Sequence, residues 1–95
     1  MINLSALAQK LDGELIGGDI AFSQLSTDSR TLTRGDMYLA LRGDRFDGND
    51  FVSEAITKGA SGAIVSKELD IDCPMLRVSD THAALGEIAK LNRLK

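Results

Sequence analysis

The segment STDSRTLTRGDMYLALRGDRFDGNDF, residues Ser26 to Phe51, carries at its centre the compact apolar run Met37 to Leu41. That run has the length of a strand, and the Gly-Asp pair in TLTRGD ahead of it marks a turn, so Met37 to Leu41 is expected to be a buried strand. Two polar segments flank it, STDSR before and RGDRFDGND after. If QLSTDSR and DMYLAL are neighbouring strands, both polar segments emerge at one edge of the sheet.

Outward from that strand, helical and strand patterns alternate. In NLSALAQKL, Leu4, Leu7, Ala8 and Leu11 recur at spacings of three and four behind a capping candidate, Asn3, and Gly13 ends the helix. In GELIGGDIAFSQL the period shifts toward two, and Gly17-Gly18-Asp19 predicts the turn of a hairpin. Phe51, Val52, Ala55 and Ile56 share one helical face, with Asn49 or Asp50 as cap and Gly59 as stop. SGAIVS and PMLRV predict two short strands separated by the acidic loop KELDID. Asp80 then caps a last helix that turns Ala84, Leu85, Ile88 and Leu91 inward. The alternation predicts an α/β fold: one small domain, with a mixed sheet of short strands flanked by helices.

At 95 residues there is room for one modest core, since domains of this size bury only about two-thirds of their unfolded surface. A complete ATP-using enzyme does not fit. With 43% hydrophobic and 26% charged residues the composition is that of an ordinary globular domain. A net charge of -3 without a basic run argues against nucleic acid. No apolar run approaches the roughly 18 residues of a membrane helix and no leader pattern opens the chain, so no membrane partner and a cytoplasmic location are expected. The single cysteine, Cys73, excludes an internal disulfide; with His82 as the only histidine, no zinc quartet can form. Cys73 precedes Pro74, where an extended residue is expected, and reads as structural.

The opening segment holds four of the six arginines, five of the ten aspartates and none of the five lysines. It offers hydroxyls on Ser26, Thr27 and Ser29, backbone N–H groups near Gly43 and Gly48, an aromatic face on Phe46, and guanidinium groups. These are the parts of a site for a phosphorylated ligand carrying a planar ring. Arginine in place of lysine supports this, because its fork binds phosphate through two parallel hydrogen bonds. The residues equally permit an Asp-Arg network that only fixes loops, with Arg30 on Asp28, and a Phe46 that packs onto the core. No phosphate loop GxxxxGK[ST] and no GxGxxG occurs, and Gly17-Gly18 is explained by a turn. A serine hydrolase triad lacks a suitably placed histidine. Asp44, Asp47 and Asp50, three residues apart, could supply acid–base carboxylates, but beside glycines they read better as turn and cap residues.

TDSR, then GDMYLALRG, then FDGNDF, in that order and spacing, resemble the N-terminal domain of the Mur ligases, the ATP-dependent enzymes that build the peptide of peptidoglycan precursors. The flanks LDGELIGGD and DTHAALGEIAKLNR are most similar to the branch that adds D-alanyl-D-alanine to UDP-N-acetylmuramoyl-tripeptide; the branch that adds the third amino acid is a weaker match at both ends.

The resemblance covers essentially the whole chain and implies a division of roles. Thr27 and Ser29 would contact the nucleotide part of the substrate, and Asp44, Arg45 and Phe46 would lie along the uridine and diphosphate. Asn49 would join them, at a position where the family often has histidine; asparagine keeps a donor and an acceptor but no titratable ring. Asp28, Arg30, Gly43 and Gly48 would hold the loops. No catalytic residue, metal or cofactor is implied within this domain. ATP and Mg2+ would act in central and C-terminal domains, and D-alanyl-D-alanine would enter there, its amine attacking an acyl phosphate. A monomer is expected. The family's ATP-binding loop would begin shortly after Lys95, in keeping with a last helix that has no stop signal. The rivals are the branch that adds the third amino acid, a stand-alone protein-interaction module, and a phosphosugar enzyme built on the aspartate cluster.

Overall fold

Along the strand Met37–Leu39, side chains alternate between two separate cores: Met37 and Leu39 join one, Tyr38 and the following Ala40 the other, and all four are fully buried. That is why the run reads as continuously apolar, since a strand covered on both faces needs no polar side. The computed structural model describes residues 1–91. In chain order its elements are β1 (Ile2–Asn3), α1 (Leu4–Leu11), β2 (Glu14–Ile16), β3 (Ala21–Phe22), β4 (Leu25–Ser26) and β5 (Met37–Leu39). There follow a 3₁₀ turn (Gly48–Phe51), α2 (Val52–Thr57), β6 (Gly62–Val65), β7 (Met75–Arg77) and α3 (Thr81–Lys90).

Five strands form one sheet in the order β2-β7-β6-β5-β4; β4 to β7 are parallel and β2 is antiparallel to β7. The α/β class with a mixed sheet of short strands is therefore as the pattern predicts. Leu4 and Leu7 of α1, with Ala84 and Ile88 of α3, cover the face that carries Met37, Leu39, Ile64 and Leu76. Val52 and Ala55 of α2 cover the face of Tyr38, Ala63, Val65 and Met75. Cys73 is buried in that second core, and burial pushes its thiol above the usual value.

The expected hairpin around Gly17-Gly18 does not form. β2 pairs with β7 and β3 pairs with β1 in a separate two-stranded ribbon. Both glycines have positive φ and do turn the chain, but the turn delivers it to the start of α1. There Ile20 accepts from the Leu4 N–H at 2.9 Å, and Asp19 accepts from the Ser5 N–H at 2.9 Å and its hydroxyl at 2.6 Å. The unpaired donors of a helix start outcompete a two-residue ladder. Asp19 thus caps α1 from a distance, in place of Asn3, whose side chain makes no cap bond. The left-handed residue that ends the helix is Asp12 rather than a glycine.

Other boundaries move less. The β5 ladder stops at Leu39, although the Ala40 N–H still reaches Ile64 O at 2.9 Å. Neither Asn49 nor Asp50 caps the second helix; Asp47 caps the 3₁₀ turn that leads into it, accepting from the Asn49 N–H. Asp80 caps α3 as predicted, accepting from the N–H groups of His82 and Ala83. The continuation of that helix to Lys95 lies outside the described residues. No helix among the described residues is long and apolar enough to cross a membrane.

Candidate functional site

Because β4 and β5 are parallel neighbours, the segments that leave their C-terminal ends emerge side by side. The first is a turn stapled by its own side chains. The Ser26 hydroxyl donates to Asp28 O at 3.0 Å, and Asp28 Oδ1 accepts from the Arg30 N–H at 2.8 Å. Arg30 closes it with a two-pronged contact on Asp28, Nε to Oδ1 at 3.1 Å and Nη2 to Oδ2 at 2.9 Å. That guanidinium holds the Asp28 carboxyl below its usual range.

The second segment is a tight loop closed by an antiparallel bridge between Arg42 and Asp47. The Gly43 N–H donates to Phe46 O at 2.7 Å, leaving Asp44 and Arg45 exposed at the tip. Gly48 returns the chain against the end of β5: its N–H donates to Leu41 O at 2.7 Å, and a Cβ there would lie 2.7 Å from both Leu41 N and O. Only glycine fits so close an approach. Asp47 fastens the base. It receives the ammonium of Lys67 at 2.6 Å and both the backbone and side-chain N–H of Asn49, and these donors lower its carboxyl to about 2, with Lys67 the largest cause. From the opposite side, His82 Nε2 lies 2.9 Å from Arg42 O, joining the loop to α3.

Between the two segments lies an open cleft of ≈ 680 Å³, lined by Thr27, Asp28, Ser29, Arg30, Phe46, Phe51 and Glu54. That volume is in the range of small-molecule sites. Phe46 stacks on Phe51 with ring centres 5.1 Å apart and planes 19° from parallel, yet remains 48% exposed. It therefore both packs on a neighbour and offers a ring face. The buried Ser29 donates its hydroxyl to Glu54 Oε2 at 2.7 Å, across the cleft floor.

The predicted residues divide accordingly. Thr27, Ser29 and Phe46 meet in the cleft, and so do Asp28 and Arg30, which were expected to serve the scaffold. Asp44 and Arg45 occupy the loop tip, outside the cleft lining, and among the described residues neither forms an ion pair. Asn49, expected at the ligand, is only 3% exposed. Its side chain bonds Asp47 Oδ1 at 2.7 Å, the Ser66 hydroxyl at 3.1 Å and the Ser66 N–H at 3.1 Å. Those bonds place it in the loop's foundation rather than among the residues that line the cleft. Gly43 and Gly48 sit where loop geometry needs them. Phe51 and Glu54 were missed as site residues. Their one-turn spacing at the helix start that follows the Asp44–Phe46 loop was the available signal.

A sequence profile described as the Mur ligase family, catalytic domain, matches residues 21–93, a span that includes every residue of the cleft. The chain belongs to the Mur ligase family. A Mur ligase of Escherichia coli (strain K12), named UDP-N-acetylmuramoyl-tripeptide–D-alanyl-D-alanine ligase, is 48% identical over 88 residues, 93% of this chain and 20% of the relative. Another Mur ligase, the UDP-N-acetylmuramoyl-L-alanyl-D-glutamate–2,6-diaminopimelate ligase of Geobacillus kaustophilus (strain HTA426), is 34% identical over 77% of this chain and 15% of the relative. Among solved structures, MurF from Acinetobacter baumannii superposes with a TM-score of 0.75 at 34% identity, covering 88% of this chain and 19% of that one. This Mur ligase chain thus spans about a fifth of the length of the first curated relatives it matches. The family resemblance carried by TDSR, GDMYLALRG and FDGNDF is confirmed, and the greater identity lies with the D-alanyl-D-alanine ligase.

Proposed function

We propose that this chain is the substrate-recognition domain of a Mur ligase that joins D-alanyl-D-alanine to UDP-N-acetylmuramoyl-tripeptide, and that its cleft takes the UDP end of that substrate. The observation that carries the proposal is the convergence, at the ends of two parallel strands, of the Phe46–Phe51 stack with Thr27 and Ser29 in one open cleft. A planar base has a ring face to lie on, and ribose has polar neighbours. Arg30 is already held by Asp28; Arg45, exposed at the loop tip, is the guanidinium left for the diphosphate. Identity of 48% to a D-alanyl-D-alanine ligase supports the choice of branch. The match to a diaminopimelate ligase keeps a second reading, in which the same UDP end belongs to a substrate one residue shorter.

In this proposal the chain binds and does not catalyse. Among the described residues no group of three His, Cys, Asp or Glu could hold a metal ion, and the sequence contains no phosphate-cradling GxxxxGK[ST] loop; in this proposal ATP and Mg2+ act elsewhere. They are assigned to domains beyond this chain, where ATP would activate the substrate carboxylate.

Titration of the isotopically labelled chain with UDP and with UDP-N-acetylmuramoyl-tripeptide tests the site. Amide shifts are expected at Thr27, Ser29, Arg45 and Phe46, saturating at high micromolar to millimolar ligand, about 4 to 6 kcal/mol of binding. Unmoved resonances at several millimolar ligand would reject it.

A further inference from the structure

Of the two carboxylates in the cleft, Asp28 is paired with Arg30, whereas Glu54 has no such arginine partner and is the residue that a site for an anionic ligand does not call for. It lies in the first turn of α2, its side chain about half exposed (45%), with Oε2 taking the Ser29 hydroxyl at 2.7 Å and Lys58 Nζ 3.9 Å away. Among the described residues no donor is bonded to Oε1. A carboxylate is acceptor-only, so a phosphate brought to this end of the cleft meets like charge, which the more distant ammonium of Lys58 only partly offsets. A neutral donor meets an oriented acceptor, fixed in place by Ser29.

We infer that Glu54 is the specificity-determining acceptor of the cleft: it takes a hydrogen bond from a donor on the nucleoside, and so sets the direction in which a nucleotide enters. The base lies against Phe46 with the nucleoside's donor at Glu54, and the diphosphate runs outward toward Arg45. Three donors of a uridine nucleotide suit this acceptor, the ribose 2′- and 3′-hydroxyls and the imide N–H of uracil. Cytosine has a lone pair where uracil has that N–H, and a deoxyribose lacks one of the hydroxyls. The inference rests on the function proposed above, because it presumes that a nucleotide occupies the cleft.

The test is a thermodynamic cycle on the whole chain. UDP, CDP, 2′-deoxy-UDP and 3′-deoxy-UDP are titrated against the unsubstituted protein and against Glu54→Ala, with binding read from amide shifts of Thr27 and Phe46. The unsubstituted chain is expected to bind UDP roughly tenfold more tightly than one of the three analogues, the size of a single hydrogen bond to a charged group. That preference is expected to vanish in Glu54→Ala. Loss of discrimination against CDP assigns the donor to the base; loss against 2′-deoxy-UDP or 3′-deoxy-UDP assigns it to that hydroxyl of the sugar. Preferences that are absent from the unsubstituted chain, or that survive unchanged in Glu54→Ala, overturn the role of Glu54 and leave the UDP site standing. A chain that UDP does not shift at all overturns both.

Discussion

Tyr38 Oη donates a 2.9 Å hydrogen bond to the carbonyl oxygen of Gly48. That contact ties the buried strand β5 to the turn from which the cleft's aromatic wall and floor project. Both residues are buried, and burial, reinforced by the carboxylates of Asp28, Glu54 and Asp47, pushes the phenol up to about 12. Tyr38 therefore stays a neutral donor across the working pH range.

Tyr38→Phe keeps the ring in its core and removes the hydrogen bond to the Gly48 carbonyl. A loss of about 1 to 2 kcal/mol in unfolding free energy is expected, measured by urea denaturation followed by far-ultraviolet circular dichroism. An unchanged midpoint would show that the hydroxyl contributes no net stability.

Gly48→Ala tests the close approach to Leu41. The added methyl has backbone atoms 2.7 Å away on both sides of the Leu41 peptide, and backbone cannot swing aside as a side chain can. A cost of about 2 to 3 kcal/mol is expected, with the resonances of Phe46 and Phe51 displaced even where the chain remains folded. A thermal midpoint equal to that of the unsubstituted protein would contradict the packing described here.

Acid should loosen the loop through Asp47. Its carboxyl titrates lower in the fold, about 2, than the ordinary 3.8 it regains on unfolding, so the unfolded chain binds protons first as pH falls. The stabilisation is complete above the unfolded value, diminishes from about pH 4 downward and is gone below about pH 2. Asp19, held low by Ser5, and Asp28, held low by Arg30, act in the same direction. Asp47→Asn is expected to flatten the dependence of the thermal midpoint on pH in that window. An equally steep profile in the variant would assign the acid sensitivity elsewhere.

Arg30→Ala separates loop support from ligand contact. The guanidinium is 81% exposed and already committed to Asp28, and exposed pairs contribute little because water screens them and two long side chains must be ordered. A small fall in the thermal midpoint with unchanged UDP affinity is expected. Lost affinity at unchanged stability would place Arg30 on the ligand instead.

Much of the fold was legible because it is written locally. The apolar runs of β5, β6 and β7 have strand length, and Asp80 stands where a helix start needs an acceptor. Gly59, at φ 109°, ends α2 where an L side chain would be strained. Partner choice is not local. β2 is three residues long and its partner β7 begins at Met75, close to the other end of the chain, so neither its sequence nor its turn could announce the pairing. The hairpin prediction failed for the same reason: Gly17-Gly18 specifies that the chain turns, not what it meets afterward.

The candidate site shows the same division. By itself the sequence determined the family through TDSR, GDMYLALRG and FDGNDF, and located the polar segments at the exits of two neighbouring strands, because residue type and spacing encode turns, caps and strand lengths. Only the tertiary structure decided which side chains share a surface. It turned Asn49 inward onto Asp47 and Ser66, set Phe51 beneath Phe46, and brought Glu54 across 25 positions of sequence to Ser29. Those contacts depend on how α2 packs against the sheet through Val52 and Ala55, and such packing is settled by complementary burial between distant segments, which no local pattern records.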